Sequence, residues 1–152
     1  MISIYLCEDE QKQLTYYEAQ LRQYLHKTGR KASIVSSQND PEKTLQDAKE
    51  NQGLSALFLI DVQLDGYALD GFELAGRLKE EVKDCYLVFL TSHETLAYKA
   101  FEYELGVLDY IIKRPADFLE EGFSERLERR FDHIFEQIEE AQKGKDMLER
   151  RI

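Results

Sequence analysis

The chain has 152 residues, enough for one domain with its own core, and its 30 acidic against 20 basic side chains give a formal net charge of −10. Such an acidic chain lacks the clustered cations that a phosphate backbone requires, which argues against a nucleic-acid surface on these residues. Its two cysteines show no disulfide or metal-ligand spacing, which indicates a reducing cytoplasm, and no apolar run or N-terminal signal indicates a membrane span or secretion.

Short apolar segments alternate with helical patterns along most of the chain. Strands are expected over residues 2–6, 32–36, 57–60, 86–90 and 107–112. Helices are expected between them, over about 11–27, 41–52, 72–82 and 93–105. This alternation predicts a parallel sheet whose strands are joined by right-handed helical crossovers.

The segment Leu57-Phe58-Leu59-Ile60 has the pattern of a central strand that is buried on both faces. It ends on Asp61. Ligands bind at the carboxyl edge of an open α/β sheet, so this aspartate is expected to face that crevice. A lone aspartate in such a place most often only caps a loop, and its role therefore depends on what the other strands deliver.

Other strands deliver functional groups to the same edge. Glu8 and Asp9 follow the first strand, Thr91 closes the fourth and Lys113 closes the fifth. Carboxylates this close repel one another by about 4 kcal/mol per pair at an effective dielectric constant near 20, so they would take up a proton or bind a cation. Mg²⁺ is the expected cation because it takes few protein oxygens and keeps several waters. A carboxylate beside a metal, a hydroxyl and a lysine is an arrangement suited to phosphoryl transfer.

The last part of the chain, residues 123–152, predicts a long amphipathic helix. Its apolar positions recur at spacings of four and three, and they are Leu127, Phe131, Ile134, Ile138, Ala141 and Leu148. Packing against the sheet accounts for the first half of this helix. For the second half, a partner helix is an equally open explanation.

With these motifs, the chain resembles the receiver domain of two-component response regulators over residues 1–122. The motifs are Cys-Glu-Asp-Glu at 7–10, Leu-Ile-Asp at 59–61, Asp-Gly-Phe-Glu-Leu at 70–74, Phe-Leu-Thr-Ser at 89–92 and Leu-Asp-Tyr-Ile-Ile-Lys at 108–113. The intervals of thirty residues from Asp61 to Thr91 and twenty-two from Thr91 to Lys113 are also those of receivers. The resemblance implies a doubly wound, five-stranded parallel sheet in the order 2-1-3-4-5, followed by the long C-terminal helix.

The resemblance also implies a role for each residue at the sheet edge. These roles are Asp61 as phosphoacceptor; Glu8, Asp9, Asp61 and the backbone carbonyl of Gln63 as Mg²⁺ ligands; Thr91 and Tyr110 as the switch; and Lys113 as the contact to the phosphoryl group. A sensor histidine kinase is the implied phosphodonor. The chain is expected to be a phosphoacceptor rather than an enzyme, with slow autodephosphorylation as its only turnover.

A narrower resemblance is to regulators of the Agr/Com type, on the segment Thr-Ser-His-Glu at 91–94 and the aromatic residues that follow it. These are quorum-sensing regulators that carry a LytTR DNA-binding domain after the receiver. No such domain lies within the 152 residues. Residues 123–152 are therefore expected to lead toward it, and control of transcription and contact with DNA are assigned to that domain.

Receivers of this kind form homodimers on phosphorylation through the fourth helix, the fifth strand and the fifth helix. The residues that this resemblance places at the interface are Tyr98, Phe101, Glu102, Arg126 and Arg129.

Two features depart from the general receiver pattern. The loop after Asp61 is longer by about two residues, at 65–69, and Arg114 separates Lys113 from Pro115 where most receivers have the proline directly after the lysine. His93 lies two residues past Thr91, which makes it a candidate for influencing the lifetime of the phosphoryl group.

Three other functions occur on sheets of this kind. A phosphatase with an aspartyl nucleophile usually has a second acid two residues later, where this chain has Gln63. A flavin-binding protein requires a phosphate-cradling loop after the first strand, and Glu8-Asp9 would repel a phosphate. A receiver-like module that dimerises without phosphorylation remains an alternative.

Overall fold

The structure is a computed structural model that describes residues 1–52, 55–118 and 122–151. The strands are β1 (Ile2–Cys7), β2 (Ala32–Gln38), β3 (Ser55–Ile60), β4 (Cys85–Thr91) and β5 (Asp109–Ile112). The helices are α1 (Gln11–Thr28), α2 (Pro41–Glu50), α3 (Gly71–Glu81), α4 (Tyr98–Glu102) and α5 (Glu125–Arg151), with 3₁₀ turns at Glu94–Leu96 and Pro115–Phe118. All strand pairs are parallel and their order is β2-β1-β3-β4-β5, so the predicted doubly wound sheet is confirmed.

Two apolar layers enclose the sheet. Helices α2, α3 and α4 contribute to one cluster, and α1 and α5 contribute to the other. Strand β3 supplies side chains to both: Phe58 and Ile60 belong to the first cluster, whereas Leu57 and Leu59 belong to the second. All six residues of β3 are buried, as the continuous apolar run predicted. Asp61 therefore follows a strand that is fixed by apolar packing on both faces.

The fourth helix is shorter than the sequence predicted. Instead of one helix from about residue 93 to 105, the chain forms the 3₁₀ turn Glu94–Leu96 and then the five-residue helix α4. The N–H groups of Ala97 and Ala100 bond three residues back, to the carbonyls of Glu94 and Ala97, which is the tighter 3₁₀ pattern. Glu104 (φ 52) and Gly106 (φ 61) then turn the chain toward β5.

Helix α5 packs its first half against the sheet and α1. Phe131, Ile134 and Ile138 are fully buried there, together with Phe135, which the predicted apolar stripe omitted. Core packing of this half is confirmed. Further along, Leu148 is 63% exposed, so no contact within the described chain accounts for its place in the stripe. A partner for the second half stays a prediction.

A buried carboxylate fastens the start of α5 to β5. Asp117 accepts hydrogen bonds from Ser124 and Arg126 and from the backbone N–H of Arg114, while Arg126 also donates to the carbonyl of Ile112 at 2.7 Å. Burial alone would raise the pKa of Asp117. The hydrogen bonds from Arg126 and Ser124 outweigh burial and hold this pKa below its ordinary value.

We expect Asp117→Ala to lower the free energy of unfolding by about 2 kcal/mol, because Arg126 and Ser124 lose their acceptor. Since the pKa of Asp117 is lower in the folded state, its contribution is present above the ordinary aspartate pKa and is lost as pH falls through the lowered value. Urea denaturation at neutral and acid pH measures both effects. Glu125→Ala, a fully solvated position on the same turn, is the control and is expected to change stability by less than about 0.5 kcal/mol.

Candidate functional site

The carboxyl edge of the sheet brings together the residues that the sequence predicted. Asp61 follows β3, and its backbone N–H donates to the carbonyl of Cys7 at the end of β1, 3.1 Å away. Its Oδ1 accepts a hydrogen bond from Thr91 Oγ1 at 2.8 Å, and its Oδ2 accepts one from Lys113 Nζ at 2.9 Å. The Asp61 carboxylate is thus fixed by the ends of β4 and β5 as well as by its own strand.

A glycine allows α3 to begin directly against Asp61. The N–H of Gly71 donates to the carbonyl of Val62 at 2.8 Å, and a Cβ on Gly71 would lie only 2.1 Å from the carbonyl oxygen of Asp61. Any other residue would push the loop after β3 away. Asp70 precedes it as the N-cap and forms a capping box with Glu73, which fixes the start of α3. The Asp-Gly pair of the motif therefore has a steric reason that the sequence alone did not reveal.

Three carboxylates form a potential cation site. Oxygens of Glu8, Asp9 and Asp61 all lie within 4.8 Å of one another, with Glu8 and Asp61 buried and Asp9 partly exposed. Hard oxygen donors with one open side suit a small divalent ion that keeps part of its water shell, so the donor set fits Mg²⁺. Asp9 also accepts a hydrogen bond from the backbone N–H of Asp65 at 3.1 Å, which ties the long loop after Asp61 to this site. The predicted role of the Gln63 carbonyl stays a prediction.

One lysine faces these carboxylates. Lys113 Nζ lies 3.0 Å from Glu8 Oε2 and 2.9 Å from Asp61 Oδ2, and only 8% of its side chain is exposed. Burial and the negative charge of Asp61 raise the pKa of Glu8 to about 8. Burial also acts to raise the pKa of Asp61, but the Lys113 charge and the surrounding hydrogen bonds bring it below its ordinary value. Asp61 is therefore the ionised member of the pair at neutral pH.

We expect the metal-free protein to lose stability as pH rises from the ordinary glutamate pKa toward 8. Over this window the unfolded chain has released the Glu8 proton, whereas the folded protein still holds it. Glu8→Gln keeps a neutral side chain and removes this dependence. Its stability advantage over the wild type should therefore grow between pH 5 and pH 8. Urea denaturation in EDTA measures it, and an advantage that is constant with pH would contradict the assignment.

The two predicted switch residues are linked through the backbone of His93. The N–H of His93 donates to Thr91 Oγ1 at 3.2 Å, and its carbonyl accepts from the hydroxyl of Tyr110 at 2.6 Å. The Tyr110 ring packs against Phe89 with centroids 5.7 Å apart. A path of hydrogen bonds thus runs from Asp61 through Thr91 and His93 to Tyr110. The predicted influence of the His93 side chain on phosphoryl lifetime is not part of this path and stays a prediction.

The residues predicted for a dimer interface lie on α4 and α5. Tyr98 and Glu102 are exposed on α4, and the side chain of Arg129 is 72% exposed on α5. Arg126 is engaged within the chain by Asp117 and Ile112. The side chain of Phe101 lies outside the part of the chain that the structure describes.

The sequence did not indicate that α1 contributes to the site. Gln13 Oε1 accepts a hydrogen bond from Lys113 Nζ at 2.7 Å, and the same nitrogen lies 5.1 Å from the ring centroid of Tyr17. The available signal was positional, because Gln13 lies in the first turn after Glu8 and Asp9 and so starts at the same sheet edge.

Two further findings concern the backbone near Pro115 and the character of the described helices. No cis peptide bond occurs within residues 1–52, 55–118 and 122–151, and the Arg114 backbone N–H is bonded to Asp117. Among the described helices, none combines the length and apolar character needed to cross a membrane.

Comparison with known proteins agrees with this geometry. Residues 4–121 match the family "Response regulator receiver domain". A curated relative, accessory gene regulator protein A of Staphylococcus epidermidis, is 29% identical over 112 residues, which cover 74% of this chain and 46% of the relative. The chain therefore spans less than half the length of that relative. The match supports the resemblance to Agr-type regulators.

Solved structures share the fold. The receiver (REC) domain of AraT from Geobacillus stearothermophilus superimposes with a TM-score of 0.64 at 16% identity, covering 95% of this chain and 97% of that one. The response regulator TrrA from Thermotoga maritima was solved in complex with Mg²⁺ and BeF. It superimposes with a TM-score of 0.65 at 17% identity, covering 87% of this chain and 97% of that one. The sheet order, the acidic edge and the family match lead to one conclusion: this chain belongs to the response regulator receiver domain family.

Proposed function

We propose that this receiver accepts a phosphoryl group on Asp61 from a sensor histidine kinase and passes the signal to a dimer interface. The observation that supports this most is the placement of Asp61. Its two carboxylate oxygens are held by Thr91 and by Lys113, while oxygens of Glu8 and Asp9 lie within 4.8 Å. Receiver domains of response regulators are phosphorylated by sensor histidine kinases, and the arrangement of these five side chains supports the same transfer here.

The proposed chemistry begins with an ionised Asp61. One carboxylate oxygen attacks the phosphorus as the phosphorus–nitrogen bond to the donor imidazole breaks, and an acyl phosphate forms. Lys113 contacts the developing charge, and Thr91 orients the carboxylate. Mg²⁺, when it is held by Glu8, Asp9, Asp61 and the Gln63 carbonyl, supplies further positive charge to the phosphoryl oxygens. Water would later hydrolyse the acyl phosphate. This slow autodephosphorylation would be the only turnover, because the chain is a phosphoacceptor rather than an enzyme.

The local contacts favour this proposal over a phosphatase. The side chain at position 63 is an amide bonded to Asp65 at 2.9 Å, so it supplies no acid for a leaving group. A module that works without phosphorylation has no need to surround one buried carboxylate with Thr91 and Lys113.

A small acyl phosphate with Mg²⁺ tests this proposal directly. We expect the wild type to become labelled, EDTA to abolish labelling, and Asp61→Asn to be unlabelled. Asp65→Asn, four residues away and exposed, is the matched control and should be labelled like the wild type. Equal labelling of wild type and Asp61→Asn would refute Asp61 as the acceptor.

For the output, we propose a homodimer through α4, β5 and α5, with Tyr98, Phe101, Glu102 and Arg129 at the interface. Arg126 would join it only after leaving Asp117. A LytTR DNA-binding domain beyond this chain would then control transcription, as the Agr-type resemblance implies. Raising the dimer-competent population from 1% to 99% takes about 5.5 kcal/mol. Hydrogen bonds to a phosphoryl group contribute about 1.5–3 kcal/mol each, so two to four of them are sufficient.

Sedimentation with and without beryllofluoride checks this output. A version that ends after Glu140 keeps the buried half of α5 and removes the exposed half. It therefore separates a dimer through α4, β5 and the start of α5 from a dimer through the exposed end of α5. Dimerisation that needs beryllofluoride and survives the truncation supports the α4-β5-α5 interface. A monomer under all conditions would contradict it.

A further inference from the structure

The ammonium group of Lys113 is fully occupied by three acceptors. It has three N–H donors, and they meet Asp61 Oδ2 at 2.9 Å, Glu8 Oε2 at 3.0 Å and Gln13 Oε1 at 2.7 Å. An ammonium can only donate, so the amide oxygen of Gln13 must be the atom that faces it. Gln13 is the one member of the three that has no ionisable group.

The acceptor oxygen of Gln13 is itself held in place by α1. Glu10 is the N-cap of this helix, and its side chain accepts from the backbone N–H of Gln13 at 2.9 Å. One turn later, the Tyr17 hydroxyl lies 3.4 Å from Gln13 Oε1 as a donor, and the Tyr17 ring lies beneath the ammonium. The orientation of Gln13 is therefore fixed by Glu10 at its backbone N–H and by the Tyr17 hydroxyl at its side-chain oxygen.

The other two acceptors change during the proposed reaction, whereas Gln13 does not. An oxygen of Asp61 becomes part of an acyl phosphate, and Glu8 is one of the candidate metal ligands. Each change weakens a contact that holds Lys113 in the resting protein. Gln13 takes no part in either change and keeps its bond available throughout.

We infer that Gln13 is a positioning residue for phosphoryl transfer, which holds Lys113 against Asp61 while the two carboxylates change partners. This inference rests on the proposed function, but the contact itself belongs to the resting, metal-free protein. It can therefore be tested separately.

The first test uses Gln13→Met, which has a similar length and no strong acceptor. Labelling by a small acyl phosphate should be about tenfold slower, equal to about 1.4 kcal/mol of transition-state stabilisation. Gln11→Met is the matched control, since Gln11 is an exposed glutamine in the same turn that bonds only Thr15 among the described contacts. In a Lys113→Met background the further effect of Gln13→Met should be less than about twofold, because Gln13 acts only through Lys113.

The second test observes the Lys113 ammonium directly, without metal or phosphodonor. ¹⁵N NMR should show its N–H protons exchanging with water about tenfold faster in Gln13→Met than in the wild type. Gln13→Glu retains an acceptor of the same length and should keep the slow exchange. Wild-type exchange in Gln13→Met, or fast exchange in Gln13→Glu, would overturn the inference. If the wild type is not labelled at all, the proposed function fails while this second test still decides the role of Gln13.

Discussion

Replacing Lys113 with methionine is expected to slow labelling of Asp61 by about 100-fold or more. Loss of one preorganised donor to a developing charge typically costs at least this much. Lys113 is the one cation within hydrogen-bonding distance of Asp61 among the described residues, and its charge acts with the surrounding hydrogen bonds to bring the pKa of Asp61 below its ordinary value against the effect of burial. The variant is therefore expected to lose the contact to the phosphoryl group and also to have a smaller fraction of Asp61 in the ionised, nucleophilic form.

The measurement is the initial rate of labelling by a small acyl phosphate at saturating Mg²⁺. Lys12→Met is the matched control, because Lys12 lines the same cavity of about 460 Å³ beside Lys113 but is exposed at the start of α1. We expect the Lys12 variant to stay within about threefold of the wild type. Urea denaturation of both variants separates a catalytic loss from unfolding. A folded Lys113→Met protein that labels at the wild-type rate would remove Lys113 from the proposed chemistry.

Thr91→Ala is expected to separate phosphorylation from its output. Thr91 is fully buried, and its hydroxyl joins Asp61 to the backbone of His93, which in turn accepts from Tyr110. Alanine leaves the Asp61 nucleophile and Lys113 in place, so labelling should stay within about tenfold of the wild type. The path from the carboxylate to Tyr110 is interrupted, so the dimer promoted by beryllofluoride should not form.

Thr91→Ser is the control for this prediction, since it keeps the hydroxyl and removes only a methyl group. It should be labelled and should dimerise like the wild type, as measured by sedimentation with and without beryllofluoride. Full dimerisation of Thr91→Ala would show that the signal does not pass through this hydroxyl.

The parallel sheet and the members of its edge were predictable from the sequence because both depend on simple rules, whereas the strand order followed from the resemblance to receiver domains. Buried runs such as Leu57–Ile60 define central strands, and the ends of parallel strands share one edge. Asp61 and Thr91 are each the first polar residue after such a run, and Lys113 directly follows Ile111 and Ile112 at the end of β5. Their convergence follows from topology without any knowledge of side-chain angles.

Other features depend on packing that periodicity does not encode. The residues from 93 onward have a helical pattern, yet the chain forms a 3₁₀ turn and a short helix there, because its hydrogen bonds run three residues back. Phe135 joins the core although it lies beside the predicted stripe, because α5 also contacts α1. The close approach of Gly71 to Asp61 is a backbone contact that depends on how tightly the loop packs. The bond from Lys113 to Gln13 joins two elements far apart in the sequence, and the reach of the two side chains decides it.

The central claim, phosphorylation of Asp61, is tested most directly by locating the phosphoryl group chemically. After labelling with a small acyl phosphate and Mg²⁺, borohydride reduces an aspartyl phosphate to homoserine and releases phosphate. Mass spectrometry of the peptides then identifies the modified position. We predict homoserine at position 61 in the wild type and none in Asp61→Asn. A reduced carboxyl group at Glu8, Asp9 or any other residue, with position 61 unmodified, would contradict the account.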